Sequence, residues 1–267
     1  MRRVLRIALV AALFAAFLAV VVLMLRYAAN ERQKGVCNRT DIRIERDGIP
    51  YLQAWDIENW LARYSIAIER QPAGHIDAAH IERVLLQNPY VASAQVYLTE
   101  DGVCTMRIRQ RDPALKVIGR GAMYQLDREG VEMPVNTDYP VHLRVAGGHI
   151  PFAARYGLNV RELSDTSPMV VLKHLFHINR FLEEDAFWNA LFEQIYVTSD
   201  MEYELIPKVG GQLIKLGKIE NEGELAEKMC RLKLFYLKGM GQEGWKKYSV
   251  LNLKYKNQVV ATKRQNF

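Results

Sequence analysis

The chain has 267 residues and a formal net charge of +6, from 36 Lys and Arg against 30 Asp and Glu. With 49% hydrophobic and 25% charged residues the composition is that of a globular protein, and the length allows one or two domains beyond an anchor. A small, diffuse basic excess describes a solvated surface and argues against a nucleic-acid binder.

The N-terminus sets the compartment. Residues 1–6 form a short tail with Arg2, Arg3 and Arg6, and residues 7–25 are nineteen consecutive apolar positions. As a helix this run is about 28 Å long, enough for the hydrocarbon core. A cleaved signal peptide would have an apolar region of about 7–15 residues and a small-residue cleavage site. The run is longer, and Arg26-Tyr27-Ala28-Ala29 is a poor site, so an uncleaved transmembrane anchor is expected. The leading arginines favour a cytoplasmic N-terminus; Arg26, Arg32 and Lys34 follow the span, but long translocated domains largely ignore that bias. The rest of the chain is therefore placed outside the cytoplasm. Residues 26–38 read as a polar connector, with a chance sequon at Asn38-Arg39-Thr40.

Over residues 39–111 the pattern predicts strand, helix, helix, strand, strand. Ile42 and Ile44 alternate with Arg43 and Glu45 before Asp47-Gly48. Asp56 is a candidate cap for a helix with Ile57, Trp60, Leu61 and Tyr64 on one stripe. Asp77 caps a second helix, with Ile76 and Ile81 at staple spacing and Val84 and Leu85 continuing the stripe to Pro89. The period then becomes two. Ala94, Val96 and Leu98 share a face, Asp101-Gly102 turns the chain, and Cys104, Met106 and Ile108 return. Two helices on one face of a small sheet is a two-layer solution in which Trp60, Leu61, Val84 and Leu85 are expected to be buried.

Residues 112–267 read as a mostly antiparallel β domain with flanking helices, giving an α+β chain. Residues 114–118 continue as a strand after Arg111-Asp112-Pro113, and Tyr124–Asp127 and Val131–Pro134 flank Arg128-Glu129-Gly130 as a hairpin. Val141, Leu143 and Val145 alternate up to Gly147-Gly148, and residues 150–165 form a loop. Ser167 caps a helix with Pro168 at its first position and Val171, Leu175, Ile178 and Leu182 inside. Strands follow at 194–198, 201–207 and 213–216. A helix over 224–238 buries Leu225, Met229, Leu232 and Tyr236, with Gly239 at the C′ position. Residues 248–255 and 258–263 close the chain as a hairpin.

Chemistry is scarce. His174 and His177 lie at i and i+3 without a third ligand, and His174 beside Lys173 reads as a solvated face. Glu183-Glu184-Asp185 reads as a charged helix end, since adjacent helical residues point different ways. No G-x-S-x-G occurs, and Gly147-Gly148 and Gly210-Gly211 lack the strand-to-helix context of a phosphate loop. Cys37, Cys104 and Cys230 lack CxxC or zinc spacing; Cys104 and Cys230 read as small core residues, and which pair could oxidise is left open. No catalytic, cofactor or metal residues are assigned.

The first unit, with Asn88-Pro89-Tyr90-Val91 leading into its hairpin, resembles a POTRA domain. The whole arrangement resembles the FtsQ (DivIB) cell-division family, on Asn88–Val91, Gln110-Arg111-Asp112-Pro113, Tyr124–Asp127 with Gly130, and Asn252-Leu253-Lys254-Tyr255. Tyr203–Lys208 and Leu253–Val260 are similar to the Bacteroidota version. The six-residue tail departs from longer members and puts tail-mediated contacts in doubt.

The resemblance implies a non-enzymatic, single-pass scaffold of the divisome in the inner membrane at the septum, with its C-terminal domain in the periplasm. It implies FtsB/DivIC-type and FtsL-type bitopic partners and a part in controlling septal peptidoglycan synthesis. Two other readings of the same features are a POTRA-type protein-transport or membrane-assembly accessory, which no barrel follows here, and a membrane-anchored cell-wall enzyme.

The final strand, Gln258–Lys263, has no later element to cover it, so it is expected at a sheet edge. Lys263-Arg264 fits a charged guard against pairing, and the resemblance implies instead that a partner adds its strand there. The expected contact residues are Lys254, Tyr255, Gln258, Val259, Val260, Ala261, Thr262 and Lys263, with Val260→Pro as the probe that removes a backbone donor.

Overall fold

The computed structural model describes residues 14, 16–24, 35–99, 101–240, 244 and 246–264. The expected tail, part of the expected span and most of the connector lie outside the described residues. Residues 16–24 are helical, with Phe17 and Met24 64% and 71% exposed, and among the described residues no helix is long and apolar enough to cross a membrane. The rest divides into two units.

The first unit comprises β1 (Arg39–Glu45), α1 (Ala54–Arg63), α2 (Ala78–Leu86), β2 (Val91–Leu98) and β3 (Val103–Gln110). The sheet order is β1-β3-β2, with β1 parallel and β2 antiparallel to β3. Asp77 caps α2 by accepting from the His80 N–H at 2.9 Å. Asp56 is not the cap of α1. It occupies the third helical position and reaches back to the Gln53 N–H at 2.8 Å, completing a capping box that starts α1 three residues earlier than expected.

Ile57, Leu61, Ile81, Val84 and Leu85 are buried with Met106 and Ile108. Trp60 is only half-buried, because its indole N–H must reach the Val84 carbonyl at 2.8 Å. Asn88 organises the turn into β2, accepting from the Tyr90 N–H at 3.0 Å. Gly102 closes the hairpin at φ 74, where a Cβ would stand 2.6 Å from the Val36 carbonyl oxygen. Cys37 and Cys104 are buried in this core, whereas Cys230 is exposed on its helix, against expectation.

The second unit takes Arg46–Tyr51 and the chain from Arg111 onward. Its strands are β4 (Pro113–Ile118), β5 (Met123–Asp127), β6 (Glu132–Pro134), β7 (Arg144–Gly148), β8 (Phe192–Val197), β9 (Tyr203–Pro207), β10 (Leu213–Gly217), β11 (Tyr248–Asn252) and β12 (Val260–Lys263). They form one nine-stranded sheet in the order β12-β11-β10-β9-β8-β7-β4-β5-β6. The β4–β7, β7–β8 and β10–β11 pairs are parallel and the other five antiparallel. Parallel neighbours need long crossovers. Helices α3 (Val170–Glu184) and α4 (Ala186–Leu191) connect β7 to β8, and α5 (Glu222–Leu234) connects β10 to β11.

Val171, Leu175, Ile178 and Leu182 are fully buried, as their spacing predicts. The helix itself begins at Val170: Ser167 accepts from the Met169 N–H at 3.2 Å, and Pro168 lies in the preceding turn rather than at the first helical position. Helix α4 was not expected. Asp185 caps it through the Phe187 and Trp188 N–H groups, so the acidic run marks a break between two helices. Trp188 packs in the core, stacked on Phe192 at 5.5 Å. The helix after β10 passes into a π turn over Phe235–Gly239, which places Gly239 inside a helical turn rather than past its end.

In β7 the expected face is reversed. Arg144 and Ala146 point inward, while Val145 pairs beside Lys116 on the other side of the sheet and Val141 and Leu143 precede the strand. The helices sit over the face carrying Leu115 and Val117, and register with β4 then decides which residues of β7 go inward.

Two of the motifs, those of Arg111 and Asp127, meet in this unit. Asp127, almost fully buried, accepts from the Glu129 and Val131 N–H groups with one oxygen and from the Arg111 guanidinium at 2.7 Å with the other. His174 shares a 2.9 Å hydrogen bond with the Tyr203 hydroxyl and is half-buried, not on a solvated face. His177 instead lies 2.5 Å from Glu222.

Glu132 is a buried carboxyl on β6. One oxygen accepts from the Arg155 N–H at 2.6 Å; the other is buried without a partner among the described residues, as is the Tyr124 hydroxyl. Burial raises its pKa above the ordinary 4.5. A raised folded-state pKa contributes stability below the unfolded-state value and loses it as pH rises through the folded one. Glu132→Gln keeps the acceptor and removes the charge. It is expected to stabilise the protein by about 1 kcal/mol near pH 7, with the gain shrinking toward about pH 4. Chemical denaturation at both pH values checks this; an equal effect at both would contradict it.

Candidate protein-docking edge

A nine-stranded sheet has two edges, and this chain treats them differently. Along β6, the Glu132 N–H donates to the Leu158 carbonyl and the Glu132 carbonyl accepts from Gly157, so a loop covers that side. At the other edge the strand order ends with β12, which among the described residues pairs only with β11. Uncovered main-chain groups at an edge are a template for another strand.

The terminal hairpin is built locally. Asn257 adopts φ 60, a left-handed conformation that asparagine tolerates, and turns the chain after β11. Gln258 and Val259 are still leaving that turn, so β12 begins at Val260, two residues later than expected. Registers run Asn252↔Val260, Leu251↔Ala261 and Val250↔Thr262. Val259 and Ala261 pack against the core, whereas Val260, Thr262 and Lys263 are exposed. Tyr255 is 51% exposed beside the turn.

Two latches hold the hairpin. Lys254 bonds Glu202 at 2.7 Å, which raises its pKa, so its charge is already matched within the chain. Arg264 donates to the Gly210 and Gly211 carbonyls at 3.3 and 3.0 Å, an anchor that no sequence pattern indicates. Its own N–H donates to the Lys247 carbonyl at 2.8 Å. N–H groups alternate in direction along a strand, so Thr262 and Val260 point toward β11 as Arg264 does. The outward donors are those of Ala261 and Lys263. Val260→Pro would therefore break the hairpin itself, and Ala261 is the informative position.

Among the described residues no group of three His, Cys, Asp or Glu is placed to hold a metal ion. What the geometry offers is main-chain pairing beside exposed cationic and aromatic side chains. Among the described residues the fold is a small two-layer module followed by a mixed nine-stranded sheet with β12 at one edge. A POTRA-like domain model matches residues 35–109, and the model described as FtsQ/DivIB, C-terminal related, matches residues 112–262. The second match spans more than half the chain, which belongs to this FtsQ/DivIB-related family. Both families are of non-catalytic scaffold type, and membership implies a cell-division role as a division-site membrane protein. No curated protein matches the chain.

Proposed function

We propose that the protein is a single-pass scaffold of the division machinery whose β12 edge captures a partner by strand addition. The partner is an FtsB/DivIC-type bitopic protein acting with an FtsL-type one, and its capture helps control septal peptidoglycan synthesis. The observation that carries this reading is the asymmetry of the sheet: β6 is covered by the chain's own loop, while β12 turns the Ala261 and Lys263 donors outward. Exposed Lys263 and Tyr255 flank that edge and favour an acidic partner segment, the electrostatics contributing selectivity and the main chain affinity. Recovery of division proteins with the full-length chain from solubilised membranes is the expected result. Recovery of a barrel-assembly complex instead would move the protein to transport.

The anchor is part of the same reading. The apolar run at 7–25 and the exposed apolar helix at 16–24 support one span with the N-terminus inside. Alkaline phosphatase fused after Phe267 is expected to be active in intact cells, and the protein recovered from membranes is expected to begin at or next to Met1. An inactive fusion would reverse the orientation, and a mature start near Asn30 would replace the anchor with a cleaved signal.

A further inference from the structure

Charged side chains line one end of the nine-stranded sheet in alternating sign. In spatial order, Asp112 precedes β4, Arg144 opens β7, Glu193 is the second residue of β8, and Lys208 follows β9. The registers Leu115↔Arg144, Val145↔Gln194 and Phe192↔Pro207 bring these positions close to one line across the strands. All four line a cavity of about 610 Å³, within the range of small-ligand sites, and every residue of its wall belongs to the second unit.

Two groups on that wall have unspent hydrogen-bonding capacity. Arg144 is only 8% exposed, and its guanidinium donates to the Phe192 carbonyl, to Asn179 Oδ1 and to Asn189 Oδ1. All three acceptors are neutral, and five donors meet three acceptors, leaving two N–H groups over. Glu183, the carboxylate that favours its charge, is itself engaged by Arg128 at 3.4 Å. On the same wall Asp112 Oδ1 is buried with no hydrogen-bond partner among the described residues. A buried cation and a buried carboxylate oxygen, each short of a partner and not bonded to one another, call for a ligand carrying both signs.

We propose that this cavity binds a small zwitterion, an amino acid or short peptide with both termini free, its carboxylate on Arg144 and its ammonium on Asp112. The carboxylate takes the unmatched N–H groups of the guanidinium, and the ammonium supplies Asp112 with the donor it lacks. Glu193 and Lys208 along the wall discriminate against ligands of one net sign.

The test is calorimetric titration of the full-length chain with L-alanine, D-alanine and dialanine. N-acetylalanine lacks the ammonium and alaninamide lacks the carboxylate. Saturable binding of at least one zwitterion is expected at millimolar concentration or below, at least about tenfold tighter than either blocked compound. Tighter binding of dialanine than of alanine would identify the peptide as the occupant, and the reverse the free amino acid, either supporting the proposal. Arg144 also ties β7 to α3 and α4, so its truncation would test folding as well. Asp112→Asn and Ala190→Phe, the latter filling the cavity from α4, leave those three bonds in place and are expected to weaken binding at least about tenfold. No saturable heat with any zwitterion up to about 10 mM, equal binding of N-acetylalanine, or unchanged binding in a folded Ala190→Phe variant would overturn the proposal.

Discussion

Leu85→Ala is expected to destabilise the first unit by about 2–5 kcal/mol, enough to open it locally in the full-length chain. Leu85 is fully buried on α2, in one core with Ile57 and Leu61 of α1 and Met106 and Ile108 of β3. Truncation removes the transfer energy of the lost methyl groups and leaves a cavity between two helices and a three-stranded sheet, which a small core collapses poorly to fill. Its neighbour Leu86 is 49% exposed, so Leu86→Ala is expected to stay within about 0.5 kcal/mol. Hydrogen exchange over residues 78–98 of the full-length protein reads the difference. Equal protection in the two variants would show that the buried stripe is misassigned.

Ala261→Pro is expected to weaken partner binding at least about tenfold while leaving the sheet folded. Proline lacks an N–H, and at this position the missing donor is one that points away from β11. A strand added at the edge would lose a main-chain bond there and meet the ring in its place. Ala261→Gly keeps the donor and removes one half-buried methyl group, so its affinity is expected to stay within a few-fold of the original. Val260→Pro removes a bond to β11, and it is expected to loosen the terminal hairpin and so lower affinity indirectly. The measurement is the affinity of each full-length variant for the extracytoplasmic segment of an FtsB/DivIC-type protein, with circular dichroism as the folding control. A folded Ala261→Pro variant with unchanged affinity would place the partner site elsewhere.

The two variants also separate this edge from the cavity at the β4, β7 and β8 ends. Ala190→Phe is expected to leave partner affinity untouched, and Ala261→Pro is expected to leave zwitterion binding untouched.

What the sequence determined by itself was everything carried by short-range periodicity and caps. Asp77 starts α2 because its carboxylate has an orphan N–H three residues away, and Asp101-Gly102 turns β2 into β3 because a glycine there accepts positive φ. The buried stripe Val171, Leu175, Ile178 and Leu182 follows from 3.6-residue spacing, and the order of the five elements of the first unit from that period together with the period of two in its strands. The last described strand does stand at one end of the nine-stranded order, the edge position expected for Gln258–Lys263.

Tertiary structure decided what no local pattern encodes. Which face of β7 turns inward was set by its register with β4, and it buried Arg144 where the apolar alternation favoured Val145. Asp185 reads locally as the end of a charged helix; it became a cap because the chain breaks there to let Trp188 into the core. The same holds at the β12 edge. The direction of each N–H on β12 depends on the Arg264–Lys247 bond, and the charge of Lys254 is absorbed by Glu202, 52 residues earlier. Local sequence sets the conformation a segment prefers, but pairing and burial are settled by partners distant in the chain, whose hydrogen bonds and packing outweigh propensities of less than about 1 kcal/mol per residue.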